Sequence, residues 1–529
     1  MHNYSGPGRS VAFAREAMCC TSHPLAAQVA LDMLSKGGNA VDAAVAGALV
    51  LGFCEPMMTG LGGDVFAMLS VPGKGGLIGL NGSGRAPAAL DASRLRQEGF
   101  KAVPLESAHS VTIPGAVDAF DRLVADWGQL TLDAVLAPAI RFAEAGVPVC
   151  HRSAIDWETF GERLHGPGRE HFLKDGKPYR AGEIFASAAQ AEALRLIARD
   201  GRDAFYRGPI MEDIVSTLRD AGGLHTAEDF AAAAAEYVEP ISTDYKGYQL
   251  WELPPNGQGA TALLIANILK RLDIGRYPHG SARHIHLMAE ATRLAYAARN
   301  RFIADPQKAG IDLALLLSDE TADRLAASID PDRASGEIES RIEALHRDTV
   351  YICVIDADGM AVSLIYSTFY PFGSGLASKK YGISLQNRGA GFSLTEGHPN
   401  ELMGGKRPMH TLIPAFVIKP DGFTMPFGVM GGQFQATGHA TVLSNLVDYG
   451  MDIQGAIDAP RSFFDLGTGL LTLEAGIPES VDEELVAMGY TISRPKIGMG
   501  GAQAIQLDSS TGVLTGGTDP RKDGVALGI

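Results

Sequence analysis

Thr349-Val350-Tyr351-Ile352-Cys353-Val354-Ile355 runs into the turn Asp356-Ala357-Asp358-Gly359, and Met360-Ala361-Val362-Ser363-Leu364-Ile365-Tyr366 follows. Two β-branched and aromatic runs around an Asp/Gly turn predict a hairpin. Apolar residues fill both runs almost continuously instead of alternating, so both faces of these strands are expected to be covered. A second hairpin of the same texture is predicted at 412–418 and 423–429 around Lys419-Pro420-Asp421-Gly422. Helical patterns at 436–449 and 480–488 supply outer layers. Doubly covered strands with helices outside predict an α+β fold stacked helix-sheet-sheet-helix.

Upstream the texture differs. From about residue 21 to 341, Ala, Leu, Glu and Arg recur at three-four spacing, predicting helices such as 25–34, 131–143, 188–198, 260–272 and 284–302. The alanine run 231–235 is expected inside a helix. The apolar segment 43–54 is too short and Gly-broken for a membrane span, which needs about 20 residues, and reads as a buried helix. The first 17 residues lack the apolar core of a secretory leader.

The chain has 529 residues, with 46% hydrophobic and 20% charged, the profile of a folded soluble enzyme. Its formal net charge is −16, which repels phosphate backbones and anionic lipid, so neither nucleic acid nor membrane is an expected partner. Cys19, Cys20, Cys54, Cys150 and Cys353 are odd in number and lack metal-like spacing. No disulfide framework is expected, and a reducing, cytoplasmic setting is the default.

Three segments invite chemistry. Gly60-Leu61-Gly62-Gly63-Asp64 lacks dinucleotide spacing and any Walker lysine, so it reads as a tight turn or close backbone approach. His284, His286 and Glu290 share one helix, but no third ligand of matching geometry is evident, so a structural helix is expected and no metal or cofactor. Asp348-Thr349 stands where helical texture gives way to strands. Downstream come, in order, Ser367-Thr368, Phe372-Gly373-Ser374-Gly375, Lys406-Arg407-Pro408 and Gly431-Gly432.

That ordered set resembles the gamma-glutamyltranspeptidase family. The resemblance extends upstream through Gly37-Gly38-Asn39-Ala40-Val41-Asp42, Thr59 to Gly63, Ser110-Val111-Thr112-Ile113-Pro114-Gly115, then Val238-Glu239-Pro240-Ile241-Ser242 with Tyr245-Lys246-Gly247-Tyr248 and Pro254-Pro255, which look like the family's mid-chain strands, and His286-Leu287-Met288-Ala289-Glu290-Ala291, and downstream to Ala459-Pro460-Arg461. It implies a four-layer αββα sandwich of the N-terminal nucleophile hydrolase type with a large helical N-terminal portion. It also implies a precursor that cuts itself before Thr349 into a large subunit, 1–348, and a small one, 349–529, forming one intertwined catalytic unit, with a homodimer left open. Thr349 would be the nucleophile, Ser367 its hydroxyl neighbour, and Gly431 and Gly432 the backbone donors to the oxyanion. The physical logic stands by itself: a hydroxyl is a poor nucleophile without a base, and a freed α-amine of pKa about 7.7–8.0 on the same residue is such a base.

Other positions depart from the family pattern. Where its carboxylate-binding arginine is expected stands Ser83, with Arg85 directly before Ala86-Pro87. The family's substrate-binding asparagine is replaced by Phe369, and the aspartate that holds a substrate ammonium falls at Gly391. A nearby Gln or Glu becomes Arg388, and two serines become His410 and Thr411. An anion is lost and a guanidinium gained, so Arg388, with Arg85, His410, Thr411 and Phe369, is expected to bind a carboxylate on a substrate without an α-amine. This resembles the oxamate amidohydrolase subgroup and acylases that remove glutaryl side chains. The alternatives are a hydrolase or transferase of glutathione-like gamma-glutamyl substrates, or an uncleaved, non-catalytic binding protein.

Overall fold

The computed structural model describes residues 8–336 and 349–529. The residues just before Thr349, Asp348 among them, lie outside the described residues, as do the first seven and the expected end of the helical texture near 341.

Two seven-stranded antiparallel sheets face each other. One runs, edge to edge, Val525–Gly528, Met18–Thr21, Val350–Ile355, Ala361–Ser367, Asp64–Ser70, Leu77–Gly82 and Glu236–Val238. The other runs Ala12–Ala14, Val513–Thr518, Gly501–Asp508, Phe423–Met430, Ala415–Lys419, Tyr248–Glu252 and Ile241–Tyr245. Each sheet combines strands from both sides of residue 349, so neither part of the chain completes a sheet alone.

Period-two geometry explains the unbroken apolar runs. Val350, Ile352 and Val354 face the helices Pro24–Ser35 and Ala40–Cys54, whereas Tyr351, Cys353 and Ile355 meet Phe416, Met430, Ile505 and Leu514 of the opposite sheet. On the far side Gly259–Leu272, Ala282–Phe302 and Gln435–Val447 cover Val417, Met425, Phe427 and Val429. The architecture is the four-layer αββα sandwich. Asn39 caps the Ala40–Cys54 helix reciprocally with Asp42, and every residue of that helix is buried; among the described residues no helix is long and apolar enough to cross a membrane.

The Gly-rich segment is a contact turn. Gly63 N–H donates to Gly60 O at 2.8 Å, and a Cβ at Gly62 or Gly63 would stand 2.1 Å from Ser384 O or 2.5 Å from Ser367 O. The alanine run does not behave as expected: its helix is Ala227–Ala231, and Ala235 lies beyond it, its N–H donating to Asp118 at 2.6 Å. The buried Asp118 carboxylate draws the chain out of the helix. His286 binds Tyr490 Oη and Asp330 O at 3.0 and 2.8 Å, and Glu290 pairs with Arg293 at 3.0 Å, a structural brace.

Candidate active site

The site forms where the two sheets open. Val350 pairs with Tyr366 and Ser367 with Asp64. One step beyond the first pair sets Thr349 across from Ser367, so Thr349, Ser367 and Asp64 stand abreast on three neighbouring strands. By the same alternation all three point between the sheets. Thr349 is buried, and its Oγ1 receives Gln435 Nε2 at 3.4 Å; Gln435 Oε1 is held by Ile413 N–H at 3.2 Å. Ser367 Oγ accepts Phe369 N–H at 2.8 Å.

Opposite, the strand ending at Met430 gives way to Gly431 and Gly432, with φ of 126° and 54°. Glycine takes such angles without the steric cost of a side chain. A Cβ on Gly431 would also lie 3.0 Å from Gly500 Cα.

A buried cation lies near these side chains. Arg388 is fully buried; Nη1 donates to Thr411 Oγ1 at 2.7 Å, while Nε and Nη2 have no partner. Its guanidinium carbon stands 4.0 Å from the centroid of the Phe369 ring, and Phe369 holds a left-handed φ of 83°. Burial pulls the guanidinium down to about 9, opposed by the carboxylate of Asp64, so it stays charged at neutral pH. Asp64 has its own donors: Gly84 N, Gly115 N and Gln386 Nε2 on Oδ1 and His410 Nε2 on Oδ2, at 2.9–3.1 Å.

The geometry offers a hydroxyl nucleophile, paired glycine N–H groups and an unspent guanidinium. The gamma-glutamyltranspeptidase family model matches residues 26–529. This chain belongs to that family. It is 38% identical to the glutathione hydrolase-like YwrD proenzyme of Bacillus subtilis, over 97% of this chain and 98% of the relative. It is 35% identical to the oxamate amidohydrolase proenzyme of Klebsiella pneumoniae, over 97% and 98%. The crystal structure of cephalosporin acylase from Bacillus halodurans superposes with a TM-score of 0.92 at 39% identity, covering 100% of this chain and 99% of that one. The chain is thus a gamma-glutamyltranspeptidase-family enzyme of the hydrolase and transferase type, whose relatives are made as proenzymes. The relatives' names differ in substrate.

Within that family frame two expectations need correction. Arg85 does not serve the carboxylate pocket: its guanidinium is engaged by Asp305 at 3.2 Å, Glu236 at 3.0 Å, Gln307 and Gly405 O. His410 is no spare cation. Its Nδ1 accepts Leu412 N–H at 3.2 Å, so Nε2 carries the proton and gives it to Asp64. Burial, then the charge of Arg388, holds it down to about 4, hence neutral. His410 is a strut. Thr411 and Phe369 do meet Arg388, as partner and cover. Asp64, Gln435 and Gln258 escaped the sequence reading. Asp64 was visible only as the tail of a glycine turn, and nothing in local sequence marks either glutamine.

Proposed function

We propose that this chain is an autoprocessing N-terminal-threonine amidohydrolase acting on a small amide whose acyl part carries a carboxylate, as in oxamate. One observation carries the reading: Arg388, buried, with two guanidinium nitrogens lacking partners. Leaving a charged donor buried and unmet is costly, and a carboxylate would meet it in the fork geometry guanidinium favours. Gly391 offers no anion for a substrate ammonium, and both oxygens of Asp64 are engaged. Phe369 stands two residues past Ser367, at most roughly 7 Å of extended chain. The carboxylate and the scissile carbonyl are therefore only a few bonds apart.

Maturation begins with Thr349 Oγ attacking the carbonyl of Asp348, and hydrolysis of the resulting ester leaves chains 1–348 and 349–529. The freed α-amine then takes the hydroxyl proton. Oγ attacks the substrate amide, the oxyanion meets Gly431 and Gly432 N–H, and the substrate nitrogen departs as ammonia, taking that proton from the Thr349 α-ammonium. Water, deprotonated by the Thr349 α-amine, then hydrolyses the acyl ester and frees Oγ. One oxyanion donor of this kind is worth about 2.7–4 kcal/mol.

N-terminal sequencing of the small fragment tests the nucleophile: threonine followed by Val-Tyr-Ile is expected, and Thr349→Ala should abolish both cutting and turnover. Turnover of oxamate and succinamate against a gamma-glutamyl anilide tests the substrate. Rapid glutamyl hydrolysis with neither carboxylate amide consumed would replace this reading with a glutathione-type activity.

A further inference from the structure

The carboxylate pocket and the glycine pair are joined by one buried side chain that neither the motif pattern nor the catalytic chemistry uses. Gln258 Nε2 donates to Thr411 O at 2.9 Å and to Gly432 O at 3.1 Å, which occupies both amide hydrogens. Its Oε1 accepts from Arg299 Nη1 at 2.9 Å, so the amide orientation is fixed from behind. Arg299 also reaches Gln433 Oε1 and stacks over Tyr296 at 4.3 Å, and Tyr296 Oη donates to Gln433 O. Gln258 and Arg299 are both buried. A continuous chain of contacts therefore runs Arg388, Thr411, Gln258, Gly432.

We propose that Gln258 is a positioning residue that couples the carboxylate pocket at Arg388 to the oxyanion donors at Gly432. This rests on the catalytic reading above, but adds to it a residue and a dependence. The Thr411 segment holds Arg388 through its hydroxyl and Gln258 through its carbonyl. A carboxylate seated on Arg388 thus presses on the same segment that, through Gln258, holds the Gly432 carbonyl, and Gly432's φ and ψ link that carbonyl to its N–H. Without the amide, two buried carbonyls lose their donor and the glycine pair, at φ values no side chain enforces, loses its external brace.

The test uses the mature enzyme and two substrates of equal length, succinamate and butyramide, the second lacking the carboxylate. Gln258→Met is expected to lower kcat for succinamate about 10- to 100-fold, the usual effect of removing a supporting contact, with KM changed less than threefold. Gln258→Glu keeps the shape and an acceptor for Arg299 but has no N–H to give, and should reproduce the loss. It decides the matter should the methionine variant fold poorly. In a cycle with Arg388→Met, the double variant should turn over succinamate within about threefold of Arg388→Met alone, because groups acting through one contact chain are not additive. Losses that simply multiply, or a Gln258→Glu enzyme with native kcat, overturn the proposal. If the native enzyme consumes a gamma-glutamyl anilide and not succinamate, the substrate reading fails by itself. Native kcat of Gln258→Glu on that anilide would then still refute the brace, and a lowered kcat at unchanged KM would support it.

Discussion

Arg388 and Arg461 are both almost wholly buried, yet they do opposite work. Arg461 meets Asp519 Oδ2 at 2.5 Å, Met499 O at 2.6 Å and Ile457 O at 3.3 Å, and Asp519 in turn holds Arg521, which reaches Glu474. Arg461, Asp519, Arg521 and Glu474 thus match one another's charges. Arg388 has one hydroxyl, one aromatic face and two unmet nitrogens. A buried arginine with a full set of acceptors pins segments together, and the Asp519 network ties the Ala-Pro-Arg and Asp-Pro-Arg segments in this way; under the function proposed above, Arg388 keeps its donors for the substrate carboxylate.

The same substitution at both positions should separate the two roles. Arg461→Met takes from the wholly buried Asp519 carboxylate one of its two guanidinium partners and leaves it Arg521. Breaking such a pair costs about 3–5 kcal/mol, so the thermal midpoint should drop by several degrees; an unchanged midpoint would break the contrast. Arg388→Met removes a charge that among the described residues makes no direct ion pair and has only the field of Asp64 in its favour. The thermal midpoint should hold or rise while kcat/KM for a carboxylate amide falls by about two to three orders of magnitude, within the roughly 2–5 kcal/mol of a buried charge pair. Destabilisation with unchanged selectivity would make Arg388 a second Arg461.

Histidine burial sharpens the contrast by pH. Burial holds His23, His225 and His410 down to about 4 and His284 to about 3. The unfolded chain takes up these protons near pH 6.5 and the folded chain refuses them until about pH 4. Stability is therefore complete above about pH 6.5 and is lost as pH falls, by up to about 1.4 kcal/mol per pH unit for each histidine. Denaturant midpoints between pH 7 and 4.5 report this, and a flat profile would refute it. Phe369→Leu should have the smallest effect, removing the aromatic face over Arg388 at about 0.5–2 kcal/mol of carboxylate binding; it should appear in KM. A change in kcat alone would mean that the ring serves the nucleophile instead.

Much of this was legible in the chain. Three-four spacing marked the outer helices within a few residues, and continuous apolar runs marked strands covered twice. The first hairpin was read almost to its ends: Val350–Ile355 and Ala361–Ser367 are the observed strands. Of the strands before residue 349, the resemblance marked those around 238–248, observed as Glu236–Val238, Ile241–Tyr245 and Tyr248–Glu252, but two others were hidden. Met18–Thr21 is four residues long, and the Asp64–Ser70 run cannot be told from a buried helical stretch by periodicity alone. With the second of these went Asp64, which begins a strand instead of ending a turn.

The sequence by itself determined the layers and the position of the threonine before its strand, properties of pattern and backbone carried by neighbours a few residues apart. The resemblance to the family added the glycine pair and the exchange of a Gln or Glu position for Arg388. Only the tertiary structure decided which cations are spent. Arg85 found carboxylates more than 100 residues away at Asp305 and Glu236, the neutral His410 found Asp64, and among the described residues Arg388 makes no direct ion pair. A charge's fate depends on who faces it across the packed interior, and the distances that set that balance are made by folding.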